Sequence, residues 1–213
     1  MDWNITIGFL LGIVASGIAA IVYEHLTRPL LQVLLEDGPR AIGQYPGLSP
    51  HEFYHLRVRN RPARRPFPGR KPAWSCKATI EVFGADGVRT IEGPIHVRWT
   101  SQPEPLTPAI AGNQSVSIVD FARLIMARRI DIHCHEDQQF SVALKFDGQP
   151  ECYIFSNESY LHPSWSNPAW RLGPGEYRLR VTVFYERGRL TRDFTLQNLG
   201  TARDSIKLGY AAS

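Results

Sequence analysis

Residues 177–183 read YRLRVTV, and their alternation decides the fold class. Tyr177, Leu179, Val181 and Val183 share one side of an extended chain, and Arg178, Arg180 and Thr182 share the other. A period of two is the mark of a half-buried β-strand. Gly188 then supplies a turn, and residues 190–196 complete a hairpin. The same period recurs upstream. Leu56 and Val58 alternate with Arg57 and Arg59, and Cys76, Ala78, Ile80 and Val82 alternate with Lys77, Thr79 and Glu81 before a turn at Gly84–Gly87. Residues 88–99 read as a strand interrupted at Gly93-Pro94, and 130–133, 140–146 and 152–155 as shorter ones, with a turn at Glu136-Asp137. About seven to nine short strands between Gly/Pro turns predict a mainly β chain, an Ig-like antiparallel β-sandwich over residues 51–198.

The remaining segments are less periodic. Residues 102–112 read as proline-rich loop, and 115–127 fit either a short helix or a strand followed by a turn. Residues 156–172 form a long loop carrying Tyr160, Trp165 and Trp170, aromatics that either stack a base or sugar or cap the end of the sandwich. Residues 199–213 read as a C-terminal tail. With 21% charged residues and a net charge of +4, the balance is that of a folded domain with a mild basic bias. Cys76, Cys134 and Cys152 are odd in number and contain no CxxC pair. That argues against a disulfide framework or a thiolate zinc clamp, and for free thiols in a reducing compartment.

Residues 5–23, ITIGFLLGIVASGIAAIVY, carry no charge and no proline. A helix of ~20 apolar residues at ~1.5 Å each crosses the ~30 Å of a bilayer's hydrocarbon. A signal peptide begins with Lys or Arg, but Asp2 precedes this run. A core helix is amphipathic, whereas this one is apolar on every face. The reading is therefore a single-pass transmembrane helix. No Lys or Arg precedes it and many follow, so the N-terminus is expected outside and the C-terminal domain in the cytoplasm. The N-x-S/T tripeptides at Asn4, Asn113 and Asn157 point the other way only if the domain is extracellular. Gly8, Gly12, Ser16 and Ala20 recur every fourth residue, a small-residue stripe that lets two such helices associate into a homo-oligomer. Residues 24–50 read as a juxtamembrane helix, EHLTRPLLQVLLED, followed by a linker.

The chemistry-bearing feature is RPARRPFPGRKP, residues 61–72. Arg61, Arg64, Arg65, Arg70 and Lys71 stand among four prolines, a stiff basic loop suited to membrane lipid or to phosphate groups. Arg57 and Arg59 on one strand and Arg178 and Arg180 on another join it in one anionic-ligand patch if their strands are neighbours. His133-Cys134-His135 invites a metal reading, because alternate residues of a strand share a side, yet no third ligand is evident. No GxSxG, HExxH, P-loop or GxGxxG pattern is present, and no catalytic residue, cofactor or metal is predicted.

The strands around LRVRN, GPIHVRW and LGPGEYRLRV have a pattern similar to many sandwich domains of prokaryotic proteins. The expected function is non-enzymatic: a membrane-anchored protein whose cytosolic β-sandwich binds an anionic ligand or a protein partner. In layout the chain also looks similar to prokaryotic antiviral effectors that join transmembrane helices to a small β-domain sensing a cyclic nucleotide. That resemblance implies ligand-gated membrane disruption. The opposite orientation gives a third expectation, a cell-surface adhesion module.

Overall fold

The computed structural model describes residues 3–36, 42–43, 48–63, 69–111, 114–126 and 128–211. One helix, α1 (Trp3–Thr27), leads into the strands β1 (Leu31–Leu35), β2 (Ile42–Gly43), β3 (His51–Asn60), β4 (Ala73–Phe83), β5 (Ile95–His96) and β6 (Arg98–Trp99). A hairpin of β7 (Leu106–Ala111) and β8 (Gln114–Val119) and a short α2 (Phe121–Met126) come next. They precede β9 (Ile130–Ile132), β10 (Asp137–Phe146) and β11 (Cys152–Ile154). Three short 3-10 turns then lead to β12 (Arg171–Leu172), β13 (Gly175–Tyr185), β14 (Gly188–Asn198) and β15 (Ile206–Tyr210).

The protein is mainly β, with antiparallel sheets and one N-terminal helix. One sheet runs β1-β3-β10-β11-β12, and a second runs β15-β14-β13-β4-β5. Leu56, Val58 and Phe140 of the first and Ile80, Val181 and Leu196 of the second belong to one buried cluster. Each such side chain contributes about 1.5–3 kcal/mol by leaving water. Seven successive residues of β10, 140–146, are buried, because a second cluster of Leu144, Phe146, Phe155, Tyr160 and Trp165 covers its other face. The chain changes sheets at Val97: β5 pairs with β4, and β6 pairs with β10.

α1 is long and apolar enough to cross a membrane over Ile7–Thr27, with a mean hydropathy of 2.0 and none of that window buried. Gly8 and Gly12 have open space where a side chain would stand. At the other end of the helix the sequence expectation is corrected. The helix stops at Thr27 because Pro29 cannot continue it, and Leu31–Leu35 is a strand paired with β3 in the register Leu31↔Asn60. Leu31 and Val33 are buried and Gln32 is half-buried, so LLQVLL satisfies the strand period as well as a helical one. The folded domain thus begins well before residue 51. It also extends past residue 198, since Ile206–Tyr210 pairs with β14 in place of a free tail. Residues 106–111, expected as loop, form the hairpin strand β7, with Pro108 tolerated because only β8 pairs with it. Of residues 115–127, read as either a short helix or a strand and turn, 115–119 belong to β8 and 121–126 to α2. The turn before β10 lies at Cys134-His135, with His135 at φ 69°, so Asp137 is already in the strand.

Candidate functional site

The end of α1 is built into the domain. A helix leaves its last carbonyls without partners, and here side chains and the β3–β4 connection supply them. Thr27 Oγ1 donates to Tyr23 O at 2.9 Å, Lys71 N donates to Thr27 O at 2.7 Å, and Arg70 Nη1 donates to Arg28 O at 2.9 Å. Cations at this end also suit the negative pole of the helix dipole. Beyond the helix, Arg61 N donates to Leu30 O at 3.0 Å. Buried Asn60 accepts from Leu30 N at 3.2 Å and donates to Lys71 O and Ile132 O. Glu24 on the helix pairs with both Lys71 and Arg187, the latter brought from the two-residue loop between β13 and β14. Helix and sheet are therefore joined without a slack segment.

Beside this junction lies an open groove of about 640 Å³. Its apolar wall is Leu26, Leu30, Pro62 and Ala63, and its polar wall is Gln32, Arg59, Arg61 and Arg70. No carboxylate lines it among the described residues. The four polar residues differ in how far they are occupied. Arg59 grips Asp137 through two hydrogen bonds of 2.6 Å, and Arg57 adds a contact to the same carboxylate at 3.3 Å. Arg59 holds the Asp137 carboxyl below the usual carboxylate range, and Asp137 raises the Arg59 guanidinium. Arg61 is exposed and has no ion pair among the described residues. Arg70 has no carboxylate partner there either, and its Nε is buried without an acceptor. The exposed Arg61 guanidinium is suited to a fork-shaped contact with phosphate or carboxylate, and Arg70 adds a second positive charge to the same wall.

The structure thus brings Arg59, Arg61 and Arg70 together, with Lys71 on the far side of the helix exit. Arg64 and Arg65 lie outside the described residues. Arg178 and Arg180 are not neighbours of Arg57 and Arg59, because β13 and β3 belong to different sheets. Arg180 faces Asp193 across the hairpin at 3.2 Å, and both Arg178 and Arg180 stand over the Phe83 ring at 5.0 and 5.3 Å. The sequence reading missed Leu26, Leu30 and Gln32, and it missed Glu24 and Arg187.

The other candidates are structural in character. His133 precedes a turn and His135 lies within it, so they do not share a strand face; both are exposed, and His133 packs edge-on against Trp74 at 5.6 Å. Among the described residues no group of three His, Cys, Asp or Glu is placed to hold a metal. Tyr160, Trp165 and Trp170 are buried, the first two packing ring against ring at 5.1 Å. Asn157 is buried too, accepting from Arg98 at 3.0 Å and donating to Leu124 O at 2.9 Å. All three cysteines are free, and burial pushes the Cys76 and Cys152 thiols up to about 12, which leaves them un-ionised at neutral pH.

Compared with protein families and with curated proteins, the chain has no match. Among solved structures it is similar to a family 123 glycoside hydrolase from Clostridium perfringens, studied for glycolipid glycan hydrolysis. The identity is 8%, the TM-score is 0.36, and the match covers 81% of this chain and 27% of that one. A likeness at that score carries no argument about activity.

Proposed function

We propose that the protein is a non-enzymatic, membrane-anchored binding protein. α1 crosses the bilayer once, the two sheets form a β-sandwich of broadly Ig-like plan, and the groove at the helix exit takes an anionic group. The observation that carries this reading is the set of groove arginines. Among the described residues, Arg61 and Arg70 lack carboxylate partners and no acid lines the cavity. The domain is cytoplasmic, as the excess of Lys and Arg after the span and the free thiols both favour. Self-association of the span runs through Gly8, Gly12, Ser16 and Ala20.

The test is titration of the detergent-solubilised full chain with inorganic pyrophosphate. Saturable binding is expected, weakened by Arg61→Gln and unaffected by Arg178→Gln. Binding indifferent to Arg61, or equally sensitive to Arg178, overturns the groove assignment. A cyclic dinucleotide in the same titration addresses the effector layout, which requires it to bind far more tightly than pyrophosphate. Orientation is read from a Ser213→Cys variant in intact cells. An impermeant maleimide should label it only after permeabilisation, and labelling beforehand would place the domain outside. Gly12→Ile should reduce cross-linked oligomers; unchanged oligomers would show that the stripe is not an interface.

A further inference from the structure

Resting on the anionic-groove reading, we infer that the groove's occupant is the phosphate headgroup of an anionic membrane lipid, held beside α1 as it leaves the bilayer. Depth is the first argument. If the hydrocarbon edge is set where the uncharged run ends, at Tyr23 before Glu24, Leu26 lies three residues beyond it, ~4.5 Å along the helix at ~1.5 Å per residue. The headgroup layer of one leaflet is about 5–7 Å thick, so a groove walled by Leu26 and Leu30 opens at the level of lipid phosphates. No soluble ligand needs to be fetched to that depth, because lipid is already there.

The chemistry of the walls is the second argument. A free phosphate has no use for an apolar wall, whereas a phospholipid presents a charged diester joined to hydrocarbon. The groove offers both counterparts side by side: Arg61 and Arg70 for the phosphate, and Leu26 and Leu30 for the first carbons of the chains. Below Leu26 the apolar wall continues into α1, whose Ile18, Ile21 and Val22 are exposed, so acyl chains have an unbroken surface to follow. Volume agrees as well, since about 640 Å³ falls within the ~300–1,000 Å³ usual for small-molecule sites.

Junction geometry makes the site a fixed one. Arg70 is held by its hydrogen bond to Arg28 O, and Arg61 by the bond from its backbone to Leu30 O. Both guanidinium-bearing residues are therefore tied to the exit of the helix, which fixes their height relative to it. Glu24, the nearest acid on the helix, is engaged by Lys71 and Arg187 and so does not compete for the groove cations.

The experiment is native mass spectrometry of the full chain in detergent, with dioleoyl phosphatidylglycerol and dioleoyl phosphatidylcholine offered in equal amounts. Retention of phosphatidylglycerol over phosphatidylcholine is expected. The preference should fall about fivefold with Arg61→Gln and about fivefold again when Arg70→Gln is added, while Arg178→Gln leaves it unchanged. Arg61 is exposed, so its variant tests the site even if Arg70→Gln unsettles the helix end. Equal retention of the two lipids, or a preference indifferent to Arg61, overturns the inference. If pyrophosphate still binds in an Arg61-dependent way while lipid preference is absent, only the lipid assignment falls. If neither probe depends on Arg61, the groove reading falls with it.

Discussion

The two ends of the domain are closed by the same device and finished differently. At the end that meets α1, buried Asn60 gathers Leu30 N, Lys71 O and Ile132 O. At the opposite end, buried Asn198 donates to Pro150 O at 2.8 Å and Gly173 O at 3.0 Å. Its Oδ1 accepts from the fully buried Lys145 ammonium at 2.9 Å, which also reaches Pro150 O and Gly200 O. The distal cation is thus enclosed among acceptors, and burial pulls the Lys145 pKa down. The proximal cations Arg61 and Arg70 are left facing a groove. A charge wrapped in its own acceptors closes a fold. A charge left open beside an apolar wall is available to a partner.

That contrast predicts unequal costs. Asn198→Leu should destabilise the domain most, by about 3 kcal/mol, because it takes an acceptor from a buried ammonium and a donor from several buried carbonyls. The melting temperature of the full chain in detergent should drop by roughly 10 °C. Lipid and pyrophosphate binding at the other end should not change. Asn60→Leu should cost about 2 kcal/mol, since its partners are neutral and Leu30 lies at the surface, where water can replace the lost bond. Its distinguishing readout is local: hydrogen exchange of Leu30 N should speed up relative to that of the β13–β14 hairpin. Equal melting losses for the two variants would show that Lys145 draws little from Asn198.

Glu24→Gln acts on the proximal end alone. Its ion pairs with Lys71 and Arg187 are partly exposed, so the stability lost should be at most about 1 kcal/mol. The cations it releases, Lys71 and Arg187, line a separate pocket with Pro29 and Trp74 and not the groove. Phosphatidylglycerol retention at the groove should therefore stay close to that of the parent protein. A fall in retention would mean that Glu24 positions the groove.

How much of this was legible depends on where the partner residues lie in the chain. The β13–β14 hairpin and the strands β3 and β4 show in the sequence because alternation survives wherever one face is buried. Even the Arg180–Asp193 pair is implicit there, for a two-residue loop after Tyr185 sets Arg180 opposite Asp193. The Arg59–Asp137 pair is not implicit, since β10 reaches β3 from far along the chain and nothing local fixes that register. The strand-face arginines therefore looked like open charges when they are largely answered within their sheets. β1 was misread because LLQVLL is apolar at both periods, and only pairing with β3 decides between them. The basic loop was legible from composition, and its position at a helix exit was not. Leu26, Leu30 and Gln32 acquire a role only once β1 lies alongside β3.

The smallest expected effect is the one that decides whether Arg59 belongs to the sheet or to the groove. In the folded protein Arg59 holds the Asp137 carboxyl below its ordinary value of about 3.9. The unfolded chain therefore binds that proton more readily. Asp137 contributes its stability in full above about pH 4 and loses it as the pH falls through the folded value. Because the pair is partly exposed, the contribution is small. Asp137→Asn should show that deficit at pH 7 and converge with the parent protein once the pH falls below the folded value, as followed by denaturant unfolding in detergent. The same variant frees Arg59, which already lines the groove. Pyrophosphate binding should then strengthen at pH 7, and the gain should vanish in an Asp137→Asn/Arg59→Gln double variant. A stability deficit without any gain in binding would assign Arg59 to the sheet and leave the groove to Arg61 and Arg70 alone.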